Sequence, residues 1–273
     1  MKKQLISRSL IALALLLGVA WSCKTADPAP TAETCKLSAI DRGNGNKHSY
    51  TYDANGKITT MNREFDGSGS GNNISKYVYA FTYDAAGLLT KSVWTLDGKA
   101  DGSETYTYTS GKISKTTYVY ANGDKGVNNI KYNAAGQITE FTIESGTPDD
   151  VKQYFEYDAN GITVKNGVSD LKNYKFFEVV YKPVGVAKSP EQLLAKYGLP
   201  YDVLTGYGWA VAMGGEGSTS EVFFDDNGKL VSDGTGKTTA IKTNTKGYIT
   251  EMSDFDNTTK TTRIAKFTMI DCN

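Results

Sequence analysis

One pattern returns along this chain often enough to dictate most of what it can fold into. An aromatic or apolar residue and a spacer lead to Tyr-Asp, two small residues, Gly, another spacer, and then Ile or Leu followed by Thr. The clearest copies are Tyr50-Thr51-Tyr52-Asp53-Ala54-Asn55-Gly56-Lys57-Ile58-Thr59, Phe81 to Thr90, and Ile130 to Thr139, where Asn133 replaces the Asp. Looser copies run from Tyr106 to Ile113, Phe155 to Gly161, Phe223 to Leu230 and Thr243 to Thr250. Recurrence at about 25 residues is the mark of stacked supersecondary units.

Each position in the unit has a physical reading. Aromatic residues alternating with Thr or Lys before the Asp describe a strand with one apolar and one polar face. Asp or Asn opens a turn through its side chain, and Gly three positions later supplies the positive φ of a type I turn with a bulge. The residues that follow start the return strand. Each unit is a β-hairpin, and a lone hairpin cannot bury its aromatic face, so the units must join. The expected fold is all-β: repeated antiparallel β-hairpins forming a curled or barrel-like meander sheet.

These residues resemble the tyrosine-aspartate repeats of the Rhs and teneurin shells, and also the Bacteroidota-type lipoproteins that carry short series of such repeats. The resemblance spans residues 36 to 180 and 220 to 270. It implies architecture and no activity, since one fold hosts many functions. The long Rhs shells enclose a toxin, and this chain has too few repeats to enclose a domain.

The N-terminus sets the compartment. Lys2, Lys3 and Arg8 precede an apolar run from Leu10 to Trp21, a basic region and a hydrophobic core too short for a mature membrane span. Residues 1–22 read as a signal peptide, and no second apolar run of that length follows. Ala20-Trp21-Ser22-Cys23 resembles the lipobox of bacterial lipoproteins, which implies lipidation of Cys23 and anchoring to the bacterial outer membrane. The alternative is an ordinary signal peptide cut at a nearby small residue. Residues 23–35 then form a lipidated, Pro- and Thr-rich tether.

With Cys23 lipidated, Cys35 and Cys272 are left as one pair in an oxidising compartment, and a disulfide between them is the expected outcome. Such a bond would bring the strand Lys36–Ile40 beside Arg263–Ile270, antiparallel, and curl the sheet back on itself. An open sheet with locally paired ends is the other possibility. Residues 36–273 are expected to form a single β-repeat domain.

The hairpin rhythm stops at about 181–220. Ser189-Pro190-Glu191 starts a short helix, 190–197, closed by Gly198 and Pro200. Beyond it lie Tyr207 and Trp209 among glycines. Two readings stand: a loop-borne ligand site in which Tyr207 and Trp209 stack on a sugar, or a plug for one end of the sheet.

Balanced charge, with 30 basic and 30 acidic residues, offers no field for nucleic acid. His48 is the only histidine, which excludes multi-histidine zinc sites, and it reads as a solvated hairpin residue. Gly236-Lys237-Thr238 lacks the leading glycine of a phosphate loop, because position 231 is Val231. Asp53, Asp84 and Asp158 read as turn formers rather than calcium ligands. Glu140, Glu144, Glu178, Glu216 and Glu221 could supply a glycosidase pair only if the fold set two of them across a cleft. No cofactor or metal site is expected. The function expected is that of a cell-envelope lipoprotein acting as a non-enzymatic binding or structural scaffold, with a glycan or an envelope protein as partner. The alternatives are a surface carbohydrate-binding lipoprotein and a glycan-active hydrolase.

Overall fold

The computed structural model describes residues 35–272 apart from 67–71, 147–149, 160–162, 171–174, 184–216, 225–229 and 257–258. Sixteen strands and no helix occur among them. The first eight are β1 (Lys36–Asp41), β2 (Lys47–Tyr52), β3 (Ile58–Asp66), β4 (Ile74–Tyr83), β5 (Leu89–Leu96), β6 (Lys99–Thr109), β7 (Lys112–Tyr120) and β8 (Lys125–Tyr132). The rest are β9 (Ile138–Glu144), β10 (Val151–Tyr157), β11 (Thr163–Asp170), β12 (Lys175–Pro183), β13 (Gly217–Phe224), β14 (Leu230–Thr243), β15 (Ile249–Asp256) and β16 (Thr261–Ile270). Each strand pairs antiparallel with its neighbour in the chain, and β1 pairs with β16, so the meander closes into a barrel. Closure leaves no unpaired edge to template aggregation.

Strand alternation sorts the connections onto two rims. Cys35 and Cys272 form a disulfide at the rim where β1 begins and β16 ends. The turns after Tyr52, Tyr83, Thr109, Tyr132, Tyr157 and Thr243 lie at this disulfide rim. The copy that begins at Phe223 departs from the series, since Phe224 and Leu230 pair at the opposite rim.

The turns form as their residues dictate. Asp53 Oδ1 accepts from the backbone N–H of Asn55 and Lys57, at 2.9 and 2.8 Å, and the Gly56 N–H reaches the Asp53 carbonyl at 2.9 Å. The same pattern returns at Asp84, Asn133 and Asn244. Gly56 has φ +80° and Gly247 +81°, a region costly for a side chain.

The Thr that ends the unit is a bulge residue. Thr51 pairs with Thr60 while Tyr52 pairs with Ile58, leaving Thr59 as the extra residue on β3. Thr90 and Thr250 are extra on their strands in the same way. Their hydroxyls donate to the carbonyl opposite, Thr90 to Thr82 at 3.1 Å and Thr250 to Lys242 at 3.2 Å. The bulge turns Ile58 and Met61, three residues apart, to the same inward side, and it adds the local twist that a closing sheet needs.

Tyr of the unit ties one repeat to the one before. Tyr83 donates to the Ile58 carbonyl at 2.8 Å, Tyr108 to Leu89 at 2.9 Å, Tyr132 to Ile113 at 2.8 Å and Tyr157 to Ile138 at 2.7 Å. Tyr52 does the same to Leu37 on β1. A Lys before the Ile or Leu covers the ring of a later Tyr: Lys36 over Tyr52, Lys57 over Tyr83 and Lys112 over Tyr132, at 5.5, 5.3 and 5.1 Å. The Asp or Asn, Gly and Thr of the unit are therefore held within their own hairpin, and the Tyr on the adjacent repeat.

Barrels of sixteen strands commonly enclose a lumen. Here inward side chains such as Leu37, Ile58 and Leu89 are shielded from water, each 0 % exposed. His48 corrects the expectation of a solvated residue: it is buried, because alternation with Tyr50 and Tyr52 puts it on the inward face of β2. The outer wall is polar and carries the ion pairs Lys131–Glu140, Lys165–Glu156 and Lys242–Glu251 at 2.7 to 2.9 Å.

β12 ends at Pro183 and β13 begins at Gly217, so residues 181–183 and 217–220 belong to the sheet, inside the bounds expected for the insertion. The helix expected at 190–197 lies outside the described residues.

Candidate functional site

Two inward-facing groups of side chains stand next to each other toward the rim opposite the disulfide. The first is a polar network inside the barrel. Glu104 on β6 is 4 % exposed. Its Oε2 accepts from the Tyr106 hydroxyl at 2.8 Å, and its Oε1 accepts from Asn128 Nδ2 at 3.4 Å. Ser92 shares a hydrogen bond with the Tyr106 hydroxyl at 2.9 Å, and Asn128 Nδ2 also donates to Thr116 at 2.9 Å. Burial raises the Glu104 carboxyl above the usual carboxylate range, opposed in part by hydrogen bonds from Thr116, Tyr106 and Asn128.

The second group is a crescent of aromatic rings across β3 to β7, one side-chain layer nearer the rim. The cross-strand register carries Arg63 to Tyr77, Tyr79 to Trp94, Trp94 to Gly102, and Gly102 to Tyr120. Tyr118 is opposite Glu104, which makes the polar network the floor of the crescent. Ring centroids are 6.3 Å apart for Tyr77–Tyr79, 5.8 Å for Tyr79–Trp94, 5.7 Å for Trp94–Tyr120 and 5.6 Å for Tyr118–Tyr120. Interplanar angles are 26° at the Tyr77 end and 80° and 74° at Tyr120, so the rings stack at one end and meet edge to face at the other.

Glycines make this arrangement possible. A Cβ on Gly102 would come within 2.3 Å of the Trp94 ring, and one on Gly126 within 2.2 Å of the Tyr118 hydroxyl. Both rings therefore lie along the wall over bare backbone, as aromatic side chains do over glycines in a sheet. Arg63 stacks on Phe65 and Tyr77 at 4.9 and 5.6 Å, and Trp94 Nε1 donates to Asp101 Oδ2 at 2.9 Å. Burial pushes the Tyr79 phenol up to about 12, with the Arg63 guanidinium pulling against it.

Of the carboxylates considered for a glycosidase, three have described side chains, and Glu221 lies on β13 with its side chain outside the described residues. Glu140 pairs with Lys131, Glu144 accepts from Asn129 at 2.7 Å and Glu178 accepts from Tyr154 at 2.7 Å, all on the outer wall. Glu216, Tyr207 and Trp209 lie outside the described residues, as does Cys23. Gly236-Lys237-Thr238 falls within strand β14, without the loop and helix that a phosphate site needs. Among the described residues no group of three His, Cys, Asp or Glu could hold a metal. The sequence does not single out the crescent, because aromatics at period 2, such as Tyr77 and Tyr79, mark the core face of a strand wherever they occur. Gly102 and Gly126, out of place inside strands, were the available signal.

No family model matches this chain, and no curated protein does. Among solved structures it is similar to a porin-like protein from Bacteroides uniformis, with a TM-score of 0.54, 12% identity, and coverage of 88% of this chain and 99% of that one. A porin-like protein from Bacteroides vulgatus gives a TM-score of 0.35 and 13% identity over 85% of this chain and 98% of that one. The Tc holotoxin pore of Photorhabdus luminescens gives 0.30 and 12%, over 76% of this chain and 12% of that one. The first of these likenesses concerns the fold alone.

Proposed function

We propose that this protein is an exported cell-envelope lipoprotein, tethered through Cys23, whose barrel stands in water and serves as a non-enzymatic binding or structural scaffold. The reading of residues 36 to 180 and 220 to 270 as tyrosine-aspartate repeats of the lipoprotein type belongs to the same proposal, and the inter-repeat tyrosine ties support it.

The observation that carries the proposal is the polarity of the wall. A barrel that crosses a membrane turns an apolar band outward and polar residues inward. This barrel does the reverse: Leu37, Ile58, Met61 and Phe81 face in, while Thr105, Thr107, Lys131 and Lys242 face out. Among the described residues, the exposed Val93 and Val119 flank Ser103 and Ile264 stands opposite Ser253, so they form no continuous band. Membrane attachment then falls to the N-terminus, where Cys23 stands at the end of the signal sequence.

The test is metabolic labelling with an alkyne palmitate analogue, followed by fractionation of wild type and Cys23→Ala. The expected result is label in wild type alone and release of the variant from the membrane into the soluble fraction. A variant that resists alkaline extraction from the membrane would mean that the barrel itself spans the bilayer and would overturn the proposal.

A further inference from the structure

We infer that β16 and β1 are the two halves of one repeat cut at its turn, with the Cys272–Cys35 bond in place of the missing peptide link. The ring therefore carries a redox-sensitive latch at this seam.

The seam copies a hairpin of the series residue by residue. In the unit that joins β4 to β5, Tyr83 pairs with Leu89, Thr82 with Lys91, and Thr90 is the extra residue of the bulge. At the seam Met269 pairs with Leu37, Thr268 with Ala39, and Ser38 is the extra residue. The bulge hydroxyl makes the same bond in both, Ser38 donating to the Thr268 carbonyl at 3.0 Å as Thr90 does to Thr82 at 3.1 Å. Five residues lie between Tyr83 and Leu89, and five lie between Met269 and Leu37 when Ile270, Asp271 and Cys272 are counted on to Cys35 and Lys36. The sulfur–sulfur bond thus falls where the unit has the peptide link between Ala86 and Gly87. Beyond the cut the half-unit serves its neighbour as the others do: Lys36 covers Tyr52, which donates to the Leu37 carbonyl, just as Lys57 and Ile58 meet Tyr83.

What the cut unit lacks makes the latch. Ile270 stands where the Asp84 carboxylate accepts the Leu88 N–H at 2.8 Å, and it offers no acceptor in its side chain. Met269 stands in the place of the tyrosine and has no hydroxyl to tie to Ile249, as Tyr108 ties to Leu89. The Lys36–Asp271 pair at 3.0 Å spans the cut, but an ion pair open to water contributes little. On its other side β1 is paired through three residues of β2. Reduction by a dithiol passes two electrons and two protons to the sulfur–sulfur bond, leaves thiols at Cys35 and Cys272, and oxidises the reductant to its own disulfide. Units with an intact peptide turn stay closed, so the ring opens at the seam and bares the edges of β1 and β16.

The latch does not depend on lipidation of Cys23. Hydrogen exchange, read by mass spectrometry on the full chain with and without dithiothreitol, tests it. On reduction, amides of residues 36–41 and 261–270 are expected to exchange roughly tenfold faster or more, while those of 89–132 keep their protection. Met269→Tyr, which supplies the missing hydroxyl, is expected to bring exchange of 261–270 in the reduced protein back toward the oxidised rate. Unchanged protection at the seam on reduction, or an equal loss in all strands, would overturn the inference. So would a folded Met269→Tyr protein whose reduced seam exchanges as fast as wild type. If Met269→Tyr does not fold, the wild-type comparison decides by itself.

Discussion

Tyr83 donates a 2.8 Å hydrogen bond to the main-chain carbonyl of Ile58, 25 residues earlier in the chain and at the start of the preceding return strand. The contact links the turn ends of two hairpins at the disulfide rim, beyond the last paired residues of β3 and β4. Because Tyr108, Tyr132 and Tyr157 repeat it, the disulfide rim is bound together by side chains as well as by the backbone ladder.

Removal of a single hydroxyl should be felt there. Tyr83→Phe leaves the ring in place beneath Lys57 but strips a half-buried carbonyl of its partner, and it should cost about 1 kcal/mol. Tyr108→Phe should cost a similar amount. Chemical denaturation of each variant checks this, and the account fails if the unfolding midpoints stay at the wild-type value.

The ties also set a response to alkali. Burial pushes the phenols of Tyr132 and Tyr157 up to about 12, against 10 in the unfolded chain, so the folded state favours the protonated form. Their contribution is complete below pH 10 and is lost as the pH rises through about 12. Stability measured by urea titration should therefore fall in that window, and Tyr132→Phe should make the decline shallower.

Glu104 predicts a slope at the acid end. Its folded carboxyl is raised by burial, so the native barrel binds the proton more tightly than the unfolded chain does. Stability from this group is present below the ordinary carboxylate range and declines as the pH rises through the raised value. Glu104→Gln, which keeps the shape without the charge, should flatten that part of the stability profile and match or exceed wild type at neutral pH.

Two glycines separate conformation from crowding. Gly247 has φ +81° and open space around its Cβ position, so Gly247→Ala should cost about 1 to 2 kcal/mol from backbone strain alone. Gly102 has ordinary backbone angles, but its Cβ would meet Trp94. Gly102→Ala should cost more and shift the tryptophan emission, whereas Gly247→Ala should leave the emission alone.

The disulfide should have a large effect. It links residues 237 apart, and closing so long a loop restricts the unfolded chain by about 5 kcal/mol in the chain-entropy account. Reductant should lower the urea midpoint of wild type and leave the Cys35→Ala/Cys272→Ala double variant, already lowered, unmoved.

Local chemistry was legible in the chain because it acts over a few residues. Asp53, Gly56 and their counterparts specify a turn whatever surrounds them. The alternation of Tyr50 and Tyr52 with Thr51 marks a two-faced strand, and the spacing of Cys35 and Cys272 brings β1 against β16. The bulge at Thr59 was only half visible. The three-residue step from Ile58 to Met61 is written in the sequence, but it shows as a bulge only once Thr51 and Thr60 are seen paired.

What the sequence could not settle depends on distances between units. Alternation gives His48 a face but not which face is covered, and only closure of the ring buries it. Glu104, Ser92, Thr116 and Asn128 come from four strands and meet only because β5 to β8 pair in one particular register. Likewise Trp94 finds Tyr120 across β6 because Gly102 leaves the space between them empty. The sequence by itself determined the hairpin, its turn and its apolar face, since those follow from backbone preference and side-chain period. The closed ring, the burial of His48 and the aromatic row were decided by tertiary structure, because they arise from register summed over sixteen strands.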